Sequence, residues 1–384
     1  MRNIGRPLLR LLGRDDRGAI GVLVAVLIGA GVLLGMAALV IDVGQIYQNR
    51  SELQNGADAA ALAIADQCVH GACPASPMTT ATTYAQGNAS ALTQGDAGVD
   101  CIHGSDGLSS TCPPNVIDGG GLTSCPKDPA GSSTHFVDVQ TETLLKNGST
   151  LLPPVFGRAI VGNSTYNGTA VRACAQAEWG PPSSASTIAY TVSACSWYVY
   201  TNNGTTFAPP PPYPPNTSPS PSDDHILYEH GTSDATTGGC PEDNASGADA
   251  PGNFGWTDDT GNCSVFIDSS GTYGGTTGVP AKGDCQTVIE NDWANKTVVY
   301  LPVYSSVTGN GKNSVTYTLL GFAAFVITGY RITGSFYKRD WLNSANNCTG
   351  NQFCIDGYFT QGLIPSIGGL GGTPLGADIV KLTG

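Results

Sequence analysis

The histidine cluster near the middle of the chain is the first place where the sequence could do chemistry. The chain has five histidines, and two of them flank a glutamate in DDHILYEH, as His225-x-x-x-Glu229-His230. Inverted zinc peptidases use H-x-x-E-H, which this spacing misses by one residue. On a helix, side chains five positions apart point about 140° away from each other, so they do not share one ion. We therefore expect a polar surface here and no metal site.

Other catalytic signatures are missing from the sequence. It contains no G-x-S-x-G elbow, no P-loop, and no G-x-G-x-x-G after a strand. The carboxylate pairs Asp223-Asp224 and Asp258-Asp259 are chain neighbours in turn-like segments. Adjacent side chains of an extended chain point apart, so such pairs do not form an acid–base couple. The sequence therefore predicts a protein that is not an enzyme and that holds no metal or other cofactor.

Cysteine chemistry is the stronger signal. All twelve cysteines follow residue 67, beyond an apolar segment near the start, and no two of them form a C-x-x-C pair. Zinc knuckles usually need that short pair, whereas an even number of cysteines in one region indicates disulfides in an oxidising compartment. Spacing favours local bonds between Cys68 and Cys73 and between Cys348 and Cys354. It leaves the other pairings open.

The apolar segment at residues 19–41 decides where this region lies. Its 23 residues carry no charge. As a helix rising ~1.5 Å per residue it is about 35 Å long, enough for the hydrocarbon core of a bilayer. The A-x-A motif Ala63-Ile64-Ala65 lies too far beyond the segment for ordinary signal cleavage. We therefore predict a transmembrane helix that is retained in the lipid bilayer.

Arginine distribution predicts the orientation of this helix. Five arginines precede the apolar segment, and only Arg50 follows it closely. Positive charge next to a span stays in the cytoplasm, so we expect a cytoplasmic N-terminus, an extracytoplasmic bulk and a single-pass protein of the cell membrane. The five are Arg2, Arg6, Arg10, Arg14 and Arg17.

Small residues recur along the predicted span. Gly21, Ala25 and Gly29 are four residues apart, and Gly31 and Gly35 repeat that spacing. Such spacing lets two helix backbones approach closely in lipid, so we predict that these small residues pack against a partner helix. Glycine is also common in membrane helices without any such contact.

The helix is expected to continue beyond the membrane. Residues 42–66 contain no proline and many helix formers. An apolar stripe with three- and four-residue steps continues outward, which predicts a packed helix face. A single rod over residues 19–66 would be roughly 70 Å long, like the spine of a pilin. The stripe consists of Ile46, Leu53, Ala57, Ala60, Ala61 and Ile64.

These residues together resemble the N-terminal module of TadE/TadG-like proteins of the bacterial Tad (Flp) pilus machinery. The resemblance rests on Arg17-Gly18-Ala19 before the apolar run, on Asp42-x-Gly44 at its exit, and on the string LQNGADAAALA at residues 53–63. A looser resemblance to the close of the family's first outer domain covers residues 153–182. The family resemblance implies pilins or other pilus assembly proteins as partners. Leu23 stands where pilins cut by prepilin peptidase typically carry glutamate, five positions after the cleaved glycine.

The resemblance also raises a possible metal site. Many TadG proteins carry a von Willebrand A-type domain, whose D-x-S-x-S motif follows a strand and offers oxygen ligands that suit Mg²⁺. The nearest string is Asp268-x-Ser270-x-Thr272, after the apolar residues 265–267. The sequence that follows is rich in Gly and Thr and lacks the alternating helices and strands of a doubly wound domain. We therefore interpret the string as a turn after a strand.

Alternation predicts the strands of the outer region. Residues 136–143, 170–179 and 188–200 alternate and are rich in β-branched or aromatic side chains. Residues 297–307 and 314–332 flank Gly309-Asn310-Gly311 and predict a hairpin whose second arm is buried on both faces and bends at Gly321. A late strand is expected at residues 378–382. Between these regions, APPPPYPPNTSPSPS (208–222) favours a polyproline II spacer.

The predicted fold class is therefore membrane-anchored α+β, with a long N-terminal transmembrane and spine helix and a disulfide-rich, mainly β extracytoplasmic region. The net charge of −13 and the scarcity of basic clusters after the tail argue against nucleic acid as a partner. The predicted organisation is a cytoplasmic basic tail (1–18), a transmembrane helix (19–43), its outer extension (44–67), an α+β domain with Cys-rich loops (68–207), a Pro-rich linker (208–222) and a mainly β region (223–384).

Three functions are compatible with this sequence. The first is a non-enzymatic single-pass envelope protein that takes part in Tad/Flp-type pilus assembly, as a minor-pilin-like component or a membrane scaffold. The second is a membrane-tethered binding module or adhesin unrelated to pili. The third is an anchored hydrolase or metalloprotein that would depend on His225 or Asp268. The resemblance favours the first.

Overall fold

The computed structural model describes residues 16–69, 73–88, 95–108, 128–129, 135–145, 147–156, 167–213, 215, 217–228, 254–257, 262–276, 283–309, 315–332, 336–345, 353–365 and 368–383. It shows a long apolar helix followed by a mainly β region with disulfides. The predicted membrane-anchored α+β class is confirmed. The bounds of the six predicted segments stay predictions.

The first helix, α1, is a single element over Asp16–Val69. Its 54 residues include no proline, and alanines fill much of its second half, so nothing in the sequence interrupts the helix. The prediction of one rod over residues 19–66 is therefore confirmed, with a turn more at the far end. The first half of α1 is exposed, and the second half packs on a sheet.

This first sheet is five-stranded and antiparallel, apart from one short parallel pair at its edge. The helix α2 (Pro77–Asn88) packs between α1 and the first strand. The short strands β3 (Leu151–Leu152) and β4 (Thr169–Ala170) pair beside the sheet. Strands predicted at residues 136–143 and 170–179 are confirmed. In spatial order the sheet consists of β1 (Gly95–Gly104), β2 (His135–Leu145), β5 (Arg172–Gly180), β18 (Ala377–Leu382) and β16 (Gly362–Leu363).

The second sheet has nine strands, and part of it closes on itself. At one end of the strand path, β11 (Thr272–Thr276) pairs with β9 (Phe254–Thr257) and also with β13 (Val315–Arg331), so five strands form a closed ring. The path order is β11 (Thr272–Thr276), β9 (Phe254–Thr257), β7 (Tyr190–Ser193), β12 (Val298–Gly309), β13 (Val315–Arg331), β15 (Cys354–Thr360) and β8 (His225–Tyr228), with β14 (Tyr337–Lys338) and β17 (Thr373–Pro374) on β13.

The side chain of Tyr317 occupies the interior of this closed ring of strands. Tyr317 of β13 is fully buried, and its ring lies where a Cβ at Gly255 or Gly275 would stand. Only glycine leaves room for the tyrosine side chain at these two positions. Small barrels combine large and small interior residues in the same way. Outside the ring, β6 (Ser184–Ile188) and β10 (Ser264–Asp268) form a separate pair, and α4 (Gly283–Asn295) packs on β13. A disulfide joins Cys263 to Cys285 at the start of α4.

The predicted hairpin at residues 297–332 is confirmed as β12 and β13. Residues 321–330 of β13 are all buried, as the apolar run predicts. The register shifts where Val303 faces Gly321 and Tyr304 faces Leu319, so the irregularity falls at the predicted glycine. The turn residues Asn310 and Gly311 lie outside the described residues.

The prediction of one strand over residues 188–200 is wrong in its second half. A strand ends at Ser193, and α3 (Ala194–Tyr200) follows it. The Ser193 hydroxyl accepts a hydrogen bond from the Ser196 amide, an N-cap that ends the strand and starts the helix. Trp197 is thereby buried, and its indole Nε1 donates to the Leu375 carbonyl at 2.9 Å.

The proline-rich segment packs on the second sheet at its first residues. The Ala208 amide donates to the Phe359 carbonyl at 3.0 Å, and Thr360 Oγ1 donates to the Ala208 carbonyl at 2.6 Å. Further along, the hydroxyl groups of Tyr213 and Tyr358 are 2.6 Å apart. These contacts tie residues 208–213 to β15.

Candidate functional site

The membrane-facing half of α1 is a bare apolar rod. Within the described chain, α1 is the one helix whose length and composition suit a membrane crossing. Its leucines, valines and isoleucines between Val22 and Val43 are exposed. A Cβ placed on Gly21, Gly29, Gly31 or Gly35 would meet nothing within 4 Å, so these positions are open. Packing of the small residues, including Ala25, against a partner helix stays a prediction.

The second half of α1 buries the predicted apolar stripe against the protein's own sheet. Its members other than Ile46, which is half-buried, are at most 1% exposed. They face the alternate alanines of β5, Ala173, Ala175 and Ala177, with Val137 and Val139 of β2 alongside. Small residues on both surfaces let the helix and sheet backbones approach closely. The buried members are Leu53, Ala57, Ala60, Ala61 and Ile64.

A row of polar contacts runs down α1 toward the membrane beside these apolar residues. Thr141 Oγ1 of β2 donates to the Leu53 carbonyl at 2.9 Å. One helical turn nearer the membrane, Thr143 Oγ1 donates to the buried Asn49 side chain at 2.6 Å from Oδ1. Both threonines lie on the strand face that also carries Val137 and Val139. Strand β2 is therefore fixed to α1 in register as well as in distance.

The lowest contact of this row lies at the end of the apolar run. The Asp42 carboxylate accepts hydrogen bonds from the backbone amides of Val155 and Phe156, at 2.8 and 3.0 Å from Oδ1. Asp42 is the first charged residue after the uncharged segment. The β-rich region thus contacts α1 down to the predicted end of the membrane span.

A disulfide closes the other end of the helix. Cys68 in the last turn of α1 is bonded to Cys73, which precedes α2. Cys354 of β15 is also disulfide-bonded, and Cys348 lies outside the described residues. No cysteine of the described chain is free. The disulfide at Cys68 holds the helix end where α2 turns back along α1.

The two described residues considered for metal chemistry, His225 and Asp268, lie on strands of different sheets. His225 lies on β8, stacked on the Tyr200 ring at 4.1 Å between centroids, and burial lowers its pKa. Glu229 and His230 lie outside the described residues. Asp268 ends β10 in a turn, where the amide and hydroxyl of Ser270 donate to its Oδ1 and hold its pKa below the usual range. No metal-binding group of three His, Cys, Asp or Glu occurs among the described residues.

Two buried carboxyl groups, Asp138 and Asp356, and the half-buried carboxyl group of Asp378 were not singled out by the sequence. Burial raises the pKa of Asp138 and of Asp378 to about 6 each. Burial, with a further contribution from the nearby Asp340 charge, raises the pKa of Asp356 to about 7. No sequence motif marks these residues, because their shifts come from what surrounds them in the fold. They lie on three different strands.

An open cleft of about 580 Å³ lies between β6, β10 and β12. Its walls are mostly apolar, with exposed Phe266 on one side and Tyr300 on the other. The Tyr300 hydroxyl donates to the Leu363 carbonyl, and burial raises its pKa to about 12. The lining described here contains hydroxyl groups but no carboxylate, histidine or lysine. This cleft has no acid–base pair.

An exposed apolar helix that continues into a helix packed on a β-rich region defines a membrane-anchored protein. The family described as putative Flp pilus-assembly TadE/G-like matches residues 18–67, which are the span and the packed part of α1. The predicted resemblance is confirmed over this module, and it indicates involvement in Tad/Flp pilus assembly. No curated protein and no solved structure matches the chain significantly.

Proposed function

We propose that the protein is a non-enzymatic, single-pass component of Tad/Flp-type pilus assembly, acting as a minor-pilin-like subunit or a membrane scaffold. Its N-terminal tail is cytoplasmic, and its β-rich bulk is extracytoplasmic. The observation that carries the proposal is the family match at residues 18–67, which falls on one continuous helix. One face of the outer half of that helix is buried against this chain's own sheet, whereas the apolar half is exposed all round and offers a surface to pilins or assembly proteins.

The small residues in the exposed apolar half of α1 support this role. Gly31 and Gly35 have open space at the Cβ position, so a second helix can approach their backbones. A leucine at either position would hold the helices apart. We expect Gly31→Leu and Gly35→Leu together to lower assembled pili about tenfold, because 1.4 kcal/mol of lost packing is a factor of ten in association. Pili sheared from cells and quantified by immunoblot measure the effect.

The matched control is Ala37→Leu. Ala37 is also exposed and lies about 200° around the helix from Gly35, on the other face. It should leave piliation unchanged at equal membrane levels of the protein. Normal piliation in the double variant would contradict the proposal and favour a tethered binding module unrelated to pili.

Intact mass and N-terminal sequencing of the membrane-extracted protein separate the two forms of the proposal. A start at Met1 favours the scaffold. A start at Ala19 means cleavage after Gly18 despite Leu23, and the protein should then copurify with the fibre as a minor pilin.

A further inference from the structure

An apolar tip lies beside the exit of α1 from its uncharged segment. We define the apolar tip as residues 153–156, with the sequence PPVF, which directly follow β3. The side chains of Val155 and Phe156 are 56% and 42% exposed, and Leu151 just before the tip is exposed as well. By contrast Leu152 is buried against Leu53. Leu152 therefore holds the start of the segment in the core, while the side chains of Val155 and Phe156 face outward.

The height of the tip is set by Asp42. The Asp42 carboxylate accepts hydrogen bonds from the amides of Val155 and Phe156, so the tip lies next to the first residue after the apolar run. A run of 23 residues is about 35 Å long, slightly more than the ~30 Å of a hydrocarbon core. The tip therefore lies beside the end of a segment that is long enough to cross the hydrocarbon core.

We propose that the apolar tip is a second membrane contact, which inserts Val155 and Phe156 into the interface of the outer leaflet and fixes the outer region against the bilayer. The occupant is lipid because the tip is continuous with the exposed surface of the span, whose side chains Ile41 and Val43 flank Asp42. Asp42 acts as a positioning residue. This contact goes beyond the proposed function, since it concerns how the outer region is oriented and needs no pilus component.

The hydrogen bonds between the Asp42 carboxylate and the backbone of the tip suit a position near lipid. Backbone amides of an irregular segment are costly near lipid unless they have acceptors. Two of them here share one carboxylate, whose own charge is in turn stabilised by the two donors. The side chains are then left to bury apolar surface, which interfacial segments do to a depth of about 5–10 Å.

The test uses the full chain reconstituted in phosphatidylcholine–phosphatidylglycerol vesicles, with lipids brominated near the headgroup end of the acyl chain. Bromine quenches tryptophan that enters the bilayer. The Phe156→Trp variant adds one tryptophan to the emission of the parent. The fluorescence of this added tryptophan should be quenched about twofold more strongly than that of the tryptophan added in Phe266→Trp. Phe266 is a matched control, because it is exposed on β10, which pairs with β6 and not with the sheet that packs on α1.

A second pair of variants tests the positioning residue. Asp42→Ala in the Phe156→Trp background should lower the quenching toward that of the control, while Asp42→Asn, which keeps one acceptor oxygen, should retain most of it. Quenching of the Phe156→Trp signal by aqueous acrylamide instead of brominated lipid would show that the tip faces water and would overturn the proposal. Unchanged quenching in Asp42→Ala would overturn the role of Asp42. The vesicles hold no pilus protein, so these results are independent of the proposed function.

Discussion

Asp356 shows what burial does to a single residue in this protein. It lies on β15 opposite Gly329 of β13 and is 1% exposed. Burial first, and the charge of Asp340 second, raise its pKa to about 7. In the unfolded chain an Asp carboxyl ionises near pH 3.9. Between these two values the folded protein holds a proton that the unfolded chain has lost, so the free energy of unfolding falls as pH rises toward 7.

We therefore expect stability to increase as the pH is lowered from about 8 to about 6.5, and the Asp356→Asn variant to lose most of this dependence. The variant should also be more stable than the parent at about pH 8, by on the order of 1 kcal/mol, because the buried charge is gone. Urea unfolding of the detergent-solubilised chain at several pH values measures both effects. Asp138 and Asp378, with pKa values of about 6, contribute mainly below this window.

Asp268→Asn serves as the control for this prediction. Asp268 is an exposed turn residue whose pKa is held below the usual range by the Ser270 hydrogen bonds. Its titration lies well below the window, so the pH slope between about 8 and 6.5 should not change. An unaltered slope in Asp356→Asn would mean that another group carries the dependence.

Leucine-to-alanine substitutions on the buried and exposed faces of α1 should destabilise the protein by different amounts. Leu53 is 1% exposed against the first sheet, whereas Leu62 is 37% exposed on the same helix. Leu53→Ala should lower the free energy of unfolding by about 2–5 kcal/mol, because it removes buried methyl groups and leaves a cavity. Leu62→Ala makes the same chemical change and should cost less than about 1 kcal/mol. Thermal unfolding followed by near-UV circular dichroism compares the two.

The outcome that contradicts this prediction is equal destabilisation by both substitutions. That would mean that Leu62 is buried in the assembled protein, for example against a second chain. Helicity lost through the span itself would be identical in the two variants and therefore cancels in the comparison.

The elements that the sequence predicted are those with a repeating local pattern. Residues 19–66 keep helical periodicity without a breaker, and the β12–β13 hairpin has apolar arms and a glycine at the register shift, so both are found as expected. The end of the strand at Ser193 was missed, because a single hydroxyl cap there outweighs the β propensity of the aromatic residues that follow. Local pattern thus gives element type, while one hydrogen bond can move an element boundary.

The candidate site likewise has a part that the sequence predicted and a part that it did not. The buried members of the apolar stripe, such as Ala57 and Ile64, were visible from their spacing. The polar contacts were not, since the partner of Asn49 is 94 residues away and that of Asp42 is 113 residues away. Nothing in the local sequence marks a polar residue whose partner is set by tertiary folding. The raised pKa values of Asp138, Asp356 and Asp378 could not be predicted for the same reason.

At the scale of the whole molecule, β18 joins the two halves of the outer region. It pairs with β5 in the first sheet, although it follows every strand of the second. Its adjacent residues Ile379 and Val380 point to opposite sides. Ile379 belongs to the core of the second sheet, and Val380 packs against the core beneath α1. The two cores are therefore coupled through six residues of one strand.

We expect Ile379→Ala to weaken both sheets together. Ile379 is 2% exposed, and its replacement should cost about 2–5 kcal/mol through lost burial and an unfilled cavity. Because β18 is shared, hydrogen exchange should accelerate in β2 and β5 of the first sheet as well as in β12 and β13 of the second. Leu382→Ala on the same strand, at a position 37% exposed, should leave both sheets protected. Faster exchange confined to β12 and β13 would show instead that the halves unfold independently and that β18 docks on β5 without coupling them.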